Sequence, residues 1–303
     1  MNCQIIPWNR EEVVFPLLFA EYKKEFDLLP DLPQFDEAGF ADHVKGNWGS
    51  CEGLLAVSGG AIVGVMLYAP GECVAVPVWG TAGTQEVRIR LFQALARETL
   101  ALRATRVRFS VRLYAHDTDS ILTFCRMQFG MECETCLRRI PEKGLDESGI
   151  RELTKGELAA RWSEVWGLTN AVVRHLRESP VFYPGEEFTE GLYREFFMDG
   201  NTHVVVAEED GRFIGLIEWN GEGQGFGFAG QRAVNVGEAY VLPEYRGTGL
   251  AEKLLAYAES AAKRQGFAFS WVMHGTANPN ATGFWNKYFD PFEVEMVRII
   301  EKV

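Results

Sequence analysis

Apolar residues recur at helical spacing from Leu158 to Arg177, where Leu, Trp and Val share one side, and again more briefly from Phe188 to Met198. The period then changes. His203 to Glu208 and Phe213 to Trp219 are β-rich runs on either side of Asp210-Gly211, a pattern that predicts a hairpin. Val234 to Leu242 predicts another strand. Leu250 to Arg264 predicts a helix that places Leu250, Leu254, Leu255, Ala258, Ala261 and Ala262 on one side. Phe267 to Met273 returns to strand, Asn280 to Tyr288 reads as a short helix, and Phe292 to Ile300 as a last strand. Helices first, then an antiparallel meander, then strand, helix, strand, helix, strand is the order of a mixed α/β domain of about 150 residues.

The chain repeats itself. At a shift of 160 positions Ala96 pairs with Ala256, Ala101 with Ala261, Phe109 with Phe269 and Ser110 with Ser270. The same shift pairs Phe124 with Phe284, Phe129 with Phe289, Arg138 with Arg298 and Ile140 with Ile300. Upstream, a shift of 151 pairs Ala56 with Ala207, Gly60 with Gly211 and Gly64 with Gly215, so both halves carry the same hairpin. The change of register falls at the Gly-rich stretch Gly221 to Gly230, an enlarged loop between strands. A duplicated domain accounts for the fixed order of these matches. Pro141 to Gly149 is the natural linker, which divides the chain into residues 1–145 and 146–303.

Composition supports two folded domains: the chain has 303 residues, 47% hydrophobic and 24% charged. Its net charge of −12 leaves no broad basic footprint, so nucleic acid is not an expected partner. No stretch is apolar enough to span a membrane and Met1 to Arg10 lacks the features of a signal peptide, so the cytoplasm is the expected compartment and no membrane partner is expected. The charge is unevenly shared, with 15 Lys or Arg against 24 Asp or Glu in residues 146–303.

All six cysteines, Cys3, Cys51, Cys73, Cys125, Cys133 and Cys136, fall in the first 136 residues. Cys133 and Cys136 form a CxxC, but no second pair or suitably spaced His accompanies it, and Met131 to Ile140 reads as a strand on which the two thiols face opposite sides. They are read as unrelated thiols, and no metal is expected.

The chemistry is concentrated at Val241-Leu242-Pro243-Glu244-Tyr245-Arg246-Gly247-Thr248-Gly249-Leu250-Ala251, a strand-to-helix junction. Glycines there let backbone N–H groups approach an anion closely, and the helix dipole favours negative charge. The third glycine of a Rossmann loop and the Gly-Lys-Ser/Thr of a P-loop are both missing. The segment, with Leu254-Leu255, resembles the acyl-CoA signature V-x-P-x-x-R-G-x-G of the GNAT superfamily of N-acetyltransferases, and Asn278, Ala281 and Phe284 resemble that family's later stretch. The resemblance implies two tandem GNAT domains, each a mixed, mostly antiparallel sheet flanked by helices. Glu86, Val87, Arg88 and Ile89 stand where Arg246 to Gly249 stand in the second half, so the first domain reads as degenerate, with a loop at Gly80 to Gly83 as the alternative.

The resemblance further implies that Arg246, Gly247, Thr248, Gly249, Leu250 and Ala251 hold the pyrophosphate of acetyl-CoA. Val241 and Leu242 would pair with its pantetheine arm as an added strand does, and Asn278 would bond that arm. Acetyl transfer to a primary amine needs a base, for which Glu238 is the candidate, and an acid for the departing thiolate. The family's usual Tyr is Trp285 here, and Tyr288, one helical turn later, is chosen over Tyr240 or water. The first-half counterpart of Trp285, Cys125, is read as core. Tyr183, Glu186, Glu187, Glu218, Trp219 and Trp285 are candidates for the acceptor side, and Trp162, Trp166 and Trp271 could add to such a pocket. The acidic second half favours a small cationic amine, such as a polyamine, an amino sugar or an amino-acid-derived amine. The alternatives are a non-catalytic CoA-binding sensor or scaffold, or a mycothiol-synthase-like tandem enzyme. The fused halves can act as a pseudo-dimer, so a monomer is expected.

Overall fold

The computed structural model describes residues 3–102, 106–142, 148–178, 180–183, 188–221, 223 and 225–301. Residues 143–147, which hold most of the expected linker and the division at 145/146, lie outside the described residues. In chain order the first part carries β1 (Gln4–Pro7), α1 (Phe15–Phe26), α2 (Glu37–Asn47), β2 (Glu52–Ser58), β3 (Ala61–Tyr68), β4 (Cys73–Val76) and β5 (Thr81–Gly83). It continues with α3 (Gln85–Leu102), β6 (Arg106–Tyr114), α4 (Thr118–Arg126) and β7 (Gly130–Arg139). The second part carries β8 (Ile150–Glu152), α5 (Lys155–Ala160), α6 (Trp162–Arg177), α7 (Glu190–Met198), β9 (Thr202–Glu209), β10 (Arg212–Asn220) and β11 (Ala233–Val236). It ends with β12 (Tyr240–Val241), α8 (Leu250–Arg264), β13 (Phe269–Gly275), α9 (Pro279–Tyr288) and β14 (Asp290–Glu301).

Packing divides this chain differently from its repeat. One compact unit is Met1–Thr135 with Asp290–Val303, and the other is Cys136–Phe289. Within the first unit β14 pairs antiparallel with β6, Val294 opposite Leu113 and Met296 opposite Val111, and both Val294 and Met296 are buried in its core. The last residues of β7 serve the second unit, where Ile140 N donates to Ala268 O at 2.9 Å. The final strand of the second half thus belongs to the first unit, while only the end of β7, from Cys136, belongs to the second. The two strands are equivalents in the repeat, and nothing in an alternating pattern says which sheet such a strand completes.

In the first unit a sheet ordered β1-β2-β3-β5 carries α3 across β3. Gly64 of β3 makes this possible, since a Cβ there would lie 2.3 Å from Cγ1 of Val87 on α3. The second unit repeats the device at Gly215, where a Cβ would meet Leu254 of α8 at 3.1 Å.

In the second unit the sheet runs β13-β11-β10-β9-β8, with β12 also on β10. One face buries Ile214, Ile217, Trp219 and Val205 under α8, and the other buries Leu216, Val204 and Val206 under α6 and α7. Full burial of each such aliphatic side chain stabilises by about 1.5–3 kcal/mol, so the two faces fix the helices on either side. The helix expected over Leu158 to Arg177 is broken at Arg161, whose φ of −110° and ψ of 23° leave the helical region. Its guanidinium reaches across to the β9–β10 hairpin, donating to Glu208 at 2.6 Å and to Gly211 O at 2.8 Å, and covers the Phe213 ring.

Candidate active site

The strand expected over Val234 to Leu242 is interrupted, and the interruption makes the site. β10 pairs with β11 at Trp219↔Val236 and with β12 at Leu216↔Tyr240, so Ile217 and Glu218 stand opposite three residues, Gly237, Glu238 and Ala239. This is a β-bulge. Glycine at its first position leaves room for the buried Glu218, whose Oε1 would lie 2.3 Å from a Cβ at Gly237 and would have to move. Before the bulge β11 pairs parallel with β13, Asn235 opposite Trp271; after it β12 pairs with β10. The sheet opens between β12 and β13. Leu242 N donates to Ile214 O at 3.0 Å, so by alternation the Val241 amide points away from β10.

A cleft of about 620 Å³ lies beside this edge, bordered by Val172 and His175 of α6, Ala239, Tyr240 and Val241, the loop at Tyr245 to Gly249, the start of α8, and α9 from Asn278 to Tyr288. Pro243 begins a single tight turn that ends at Tyr245, and Thr248 Oγ1 donates to Tyr245 O at 2.7 Å. Gly247 and Gly249 have φ of 75° and 84°, left-handed values at which any other residue is strained, and open space lies where their Cβ atoms would be. Gly249 begins α8 with no side-chain cap, so the first amides of a 15-residue helix are left for an anion. Arg246 donates from Nε to Val241 O at 3.1 Å and lies over the Tyr240 ring, which holds a cation beside those amides. Lys287 borders the cleft too, and Glu252 in the first turn of α8 is the opposing charge.

The bulge sends the Glu238 side chain to α7, where the Tyr193 hydroxyl donates to its Oε1 at 2.9 Å. Burial pushes the carboxyl above its ordinary range, and the Tyr193 hydrogen bond opposes that in part. Such a group is a stronger base than an exposed glutamate.

On α9, Trp285 and Tyr288 both border the cleft. Trp285 is 6% exposed and packs edge-on against Phe284 and Phe289; the Tyr288 hydroxyl accepts from Lys287 Nζ at 2.8 Å. Asn278 caps α9, its Oδ1 accepting from Ala281 N at 3.3 Å and contacting His175 Nε2 at 3.1 Å.

Of the residues singled out in the sequence, Val241, Arg246, Gly247, Gly249, Leu250, Ala251, Asn278, Trp285 and Tyr288 come together around one cleft. Thr248 and Leu242 support it from behind, Thr248 by its turn and Leu242 by packing against both core clusters. Glu238 lies one residue outside the lining. Trp219 is a correction to the acceptor-side reading: it is 1% exposed and stacked on His203 at 3.8 Å, because its position on β10 alternates onto the α8 face. Trp162 and Trp166 stack on each other beside α7 rather than at the cleft. Glu218 is buried beneath the bulge, and Tyr183 packs on Phe188 away from the cleft lining. Glu186 and Glu187 lie outside the described residues. Tyr193 and His175 were missed. Both sit in segments whose pattern showed only helices, and no spacing linked them to a strand elsewhere in the chain.

The first unit has no equivalent loop among its described residues. Val87 is fully buried against Gly64, and Arg88 lies buried between Glu21 and Asp117 at 3.6 and 3.5 Å. Gly80, in the alternative loop, is packed, since a Cβ there would lie 2.8 Å from Pro77 and 2.9 Å from Leu67 O. Cys125 is exposed on α4 rather than core, because the apolar face of that short helix is spent on Phe124 and its neighbours. All six cysteines are free, with Cys133 and Cys136 both buried.

Residues 170–290 match the acetyltransferase (GNAT) family model. A comparison with curated proteins returns no match. Among solved structures, a GCN5-related N-acetyltransferase from Sphaerobacter thermophilus aligns over 98% of this chain and 96% of its own, with a TM-score of 0.55 and 13% identity. A GCN5-related glucosamine N-acetyltransferase region in a fungal multi-domain GH3 β-N-acetylglucosaminidase aligns over 98% of this chain and 38% of its own, with a TM-score of 0.51 and 12% identity. A tandem GNAT protein from the clavulanic acid biosynthesis pathway covers 99% of this chain and 98% of its own at 14% identity, with a TM-score of 0.45. Residues 170–290 therefore match the acetyltransferase (GNAT) family model, and the chain as a whole shares its fold with a GCN5-related N-acetyltransferase.

Proposed function

We propose that the protein is an acetyl-CoA-dependent N-acetyltransferase that acts in a ternary complex on the primary amine of a small molecule, with a single site in the second unit. The observation that carries this reading is the opening between β12 and β13, which ends on the uncapped start of α8 with its two left-handed glycines. Those donors fit a pyrophosphate: several backbone N–H groups, a helix dipole and the Arg246 cation converge beside a free strand edge. When bound, acetyl-CoA supplies an acetyl group activated as a thioester. The amides from Gly247 to Ala251 hold its phosphates, Asn278 bonds its pantetheine arm, and the Val241 amide is placed to donate to a carbonyl whose oxygen gains charge. Glu238, held by Tyr193, takes the proton that an ammonium must lose before attack, directly or through water.

The fold redistributes the acidic charge between the two units. Asp290, Glu293, Glu295 and Glu301 of β14 belong to the first unit, so residues 136–289 hold 16 Lys or Arg against 21 Asp or Glu, and the rest hold 14 against 21. The second unit is the less acidic one. What supports a cationic amine is local: the Glu238 carboxylate at the bulge, which would pair with the acceptor's ammonium. Polyamines, amino sugars such as glucosamine and amino-acid-derived amines are the acceptors to try. Purified protein with acetyl-CoA and such a panel should release free thiol above background. If no amine yields thiol while CoA still raises the Tm, the protein is a CoA-binding module; Trp285, in the place of a phenol, is the feature that favours that second reading.

A further inference from the structure

Breaking the thioester leaves a thiolate, and the residue in the usual proton-donor position, Trp285, has only a weakly acidic indole N–H. The cleft nevertheless contains an imidazole. His175 of α6 borders it together with Val172 and Asn278. Asn278 Oδ1 already accepts from Ala281 N at 3.3 Å and is an acceptor by nature, so the 3.1 Å contact makes His175 Nε2 the donor. One ring nitrogen is therefore fixed as N–H. No hydrogen bond engages Nδ1 among the described residues.

We propose that His175 is the general acid of the reaction, with Asn278 orienting its ring. The assignment rests on the acetyltransferase reading above and deepens it. As the amine nitrogen bonds to the acetyl carbon and the carbon–sulfur bond breaks, the electron pair leaves on sulfur and the proton on Nδ1 of the His175 imidazolium passes to it. Glu238 releases to water the proton it took from the ammonium before attack, and then takes the second proton, which the nitrogen sheds on becoming an amide. Glu238 returns that proton to water, and the neutral imidazole recovers one from water, so charge balances over a turnover. Imidazole suits the task because it changes charge between about pH 5 and 8. The charged and titratable groups that border the cleft with it are Tyr240, Tyr245 and Arg246 from the strand and loop, Glu252 from α8, and Lys287 and Tyr288 from α9. Tyr288 is the competing donor, and its hydroxyl sits beside exposed Lys287.

The test uses the full chain and the amine that gives most thiol, with kcat and KM for acetyl-CoA followed across pH. Gln at position 175 can still donate to Asn278 but cannot act as an acid. We expect His175→Gln to lower kcat about 100-fold, to keep KM for acetyl-CoA within a few-fold, and to lose the decline in rate at alkaline pH, while Tyr288→Phe keeps that decline. A His175→Gln enzyme with wild-type kcat and pH profile, or a rise in KM alone, overturns the assignment, as does loss of the alkaline decline in Tyr288→Phe only. In each of those cases the wild-type turnover leaves the acetyltransferase reading standing; absence of thiol release from the wild type with every amine overturns both.

Discussion

Tyr193 donates to Glu238 across the gap between α7 and the bulged strand, at 2.9 Å. The contact exists because one surplus residue in the β11–β12 segment turns Glu238 toward α7. Burial favours the protonated carboxyl and the hydrogen bond favours the ionised one, so the two groups set the basicity of the site between them.

Removing that hydroxyl should raise the carboxyl further. Tyr193→Phe is expected to shift the acidic limb of the rate profile to higher pH, while Glu238→Gln should abolish that limb and lower turnover most where the carboxyl is ionised and the acceptor is still protonated. Stability gives an independent check. A carboxyl whose folded pKa lies above its unfolded one loses stability as pH rises from the unfolded toward the folded value. Glu238→Gln should therefore hold or raise the Tm at neutral pH even as it loses activity, and a lower Tm would mean that the ionised carboxylate is structurally favourable.

Gly247→Ala should cost about 1–2 kcal/mol of strain at its left-handed φ and weaken CoA binding, read by calorimetric titration. Glu86, which stands at the corresponding stretch of the first half, is exposed and paired with Arg90. Glu86→Ala should leave CoA affinity unchanged. Equal losses from both would place a cofactor site in the first unit.

Arg138 donates from Nε to the buried carboxylate of Glu259 at 2.8 Å, and Ser270 bonds the same carboxylate. Burial raises the Glu259 carboxyl and Arg138 opposes it. Arg138→Ala would leave that charge buried without its cation, at a cost of about 3–5 kcal/mol in urea unfolding at neutral pH. Because the carboxyl can then escape by taking a proton, the loss should shrink as pH falls. A loss independent of pH would point to packing against Phe289 instead.

Deleting Asp290–Val303 removes the partner of β6 along with Val294 and Met296 from the first core. Hydrogen exchange should then accelerate in β6 of the first unit. Acceleration confined to β13 would show that the last strand serves the second unit.

The order of helices and strands, the repeat, the hairpins at Gly60 and Gly211 and the loop from Arg246 to Gly249 were all legible in the chain, because each rests on local periodicity or on residues adjacent in sequence. Left-handed glycines and an open helix start need no distant partner to be recognised. What only the tertiary structure decided depends on groups far apart in sequence. The bulge at Gly237 to Ala239 is visible only against the register of β10, and it alone selects Tyr193 as the partner of Glu238 and opens the strand edge. Trp219 alternates onto the buried face, His175 meets Asn278 from a helix 103 residues away, and β14 completes the first unit rather than the second. An alternating strand carries its face in its own sequence but not the identity of its neighbour, and the charge that β14 carries goes wherever that neighbour is.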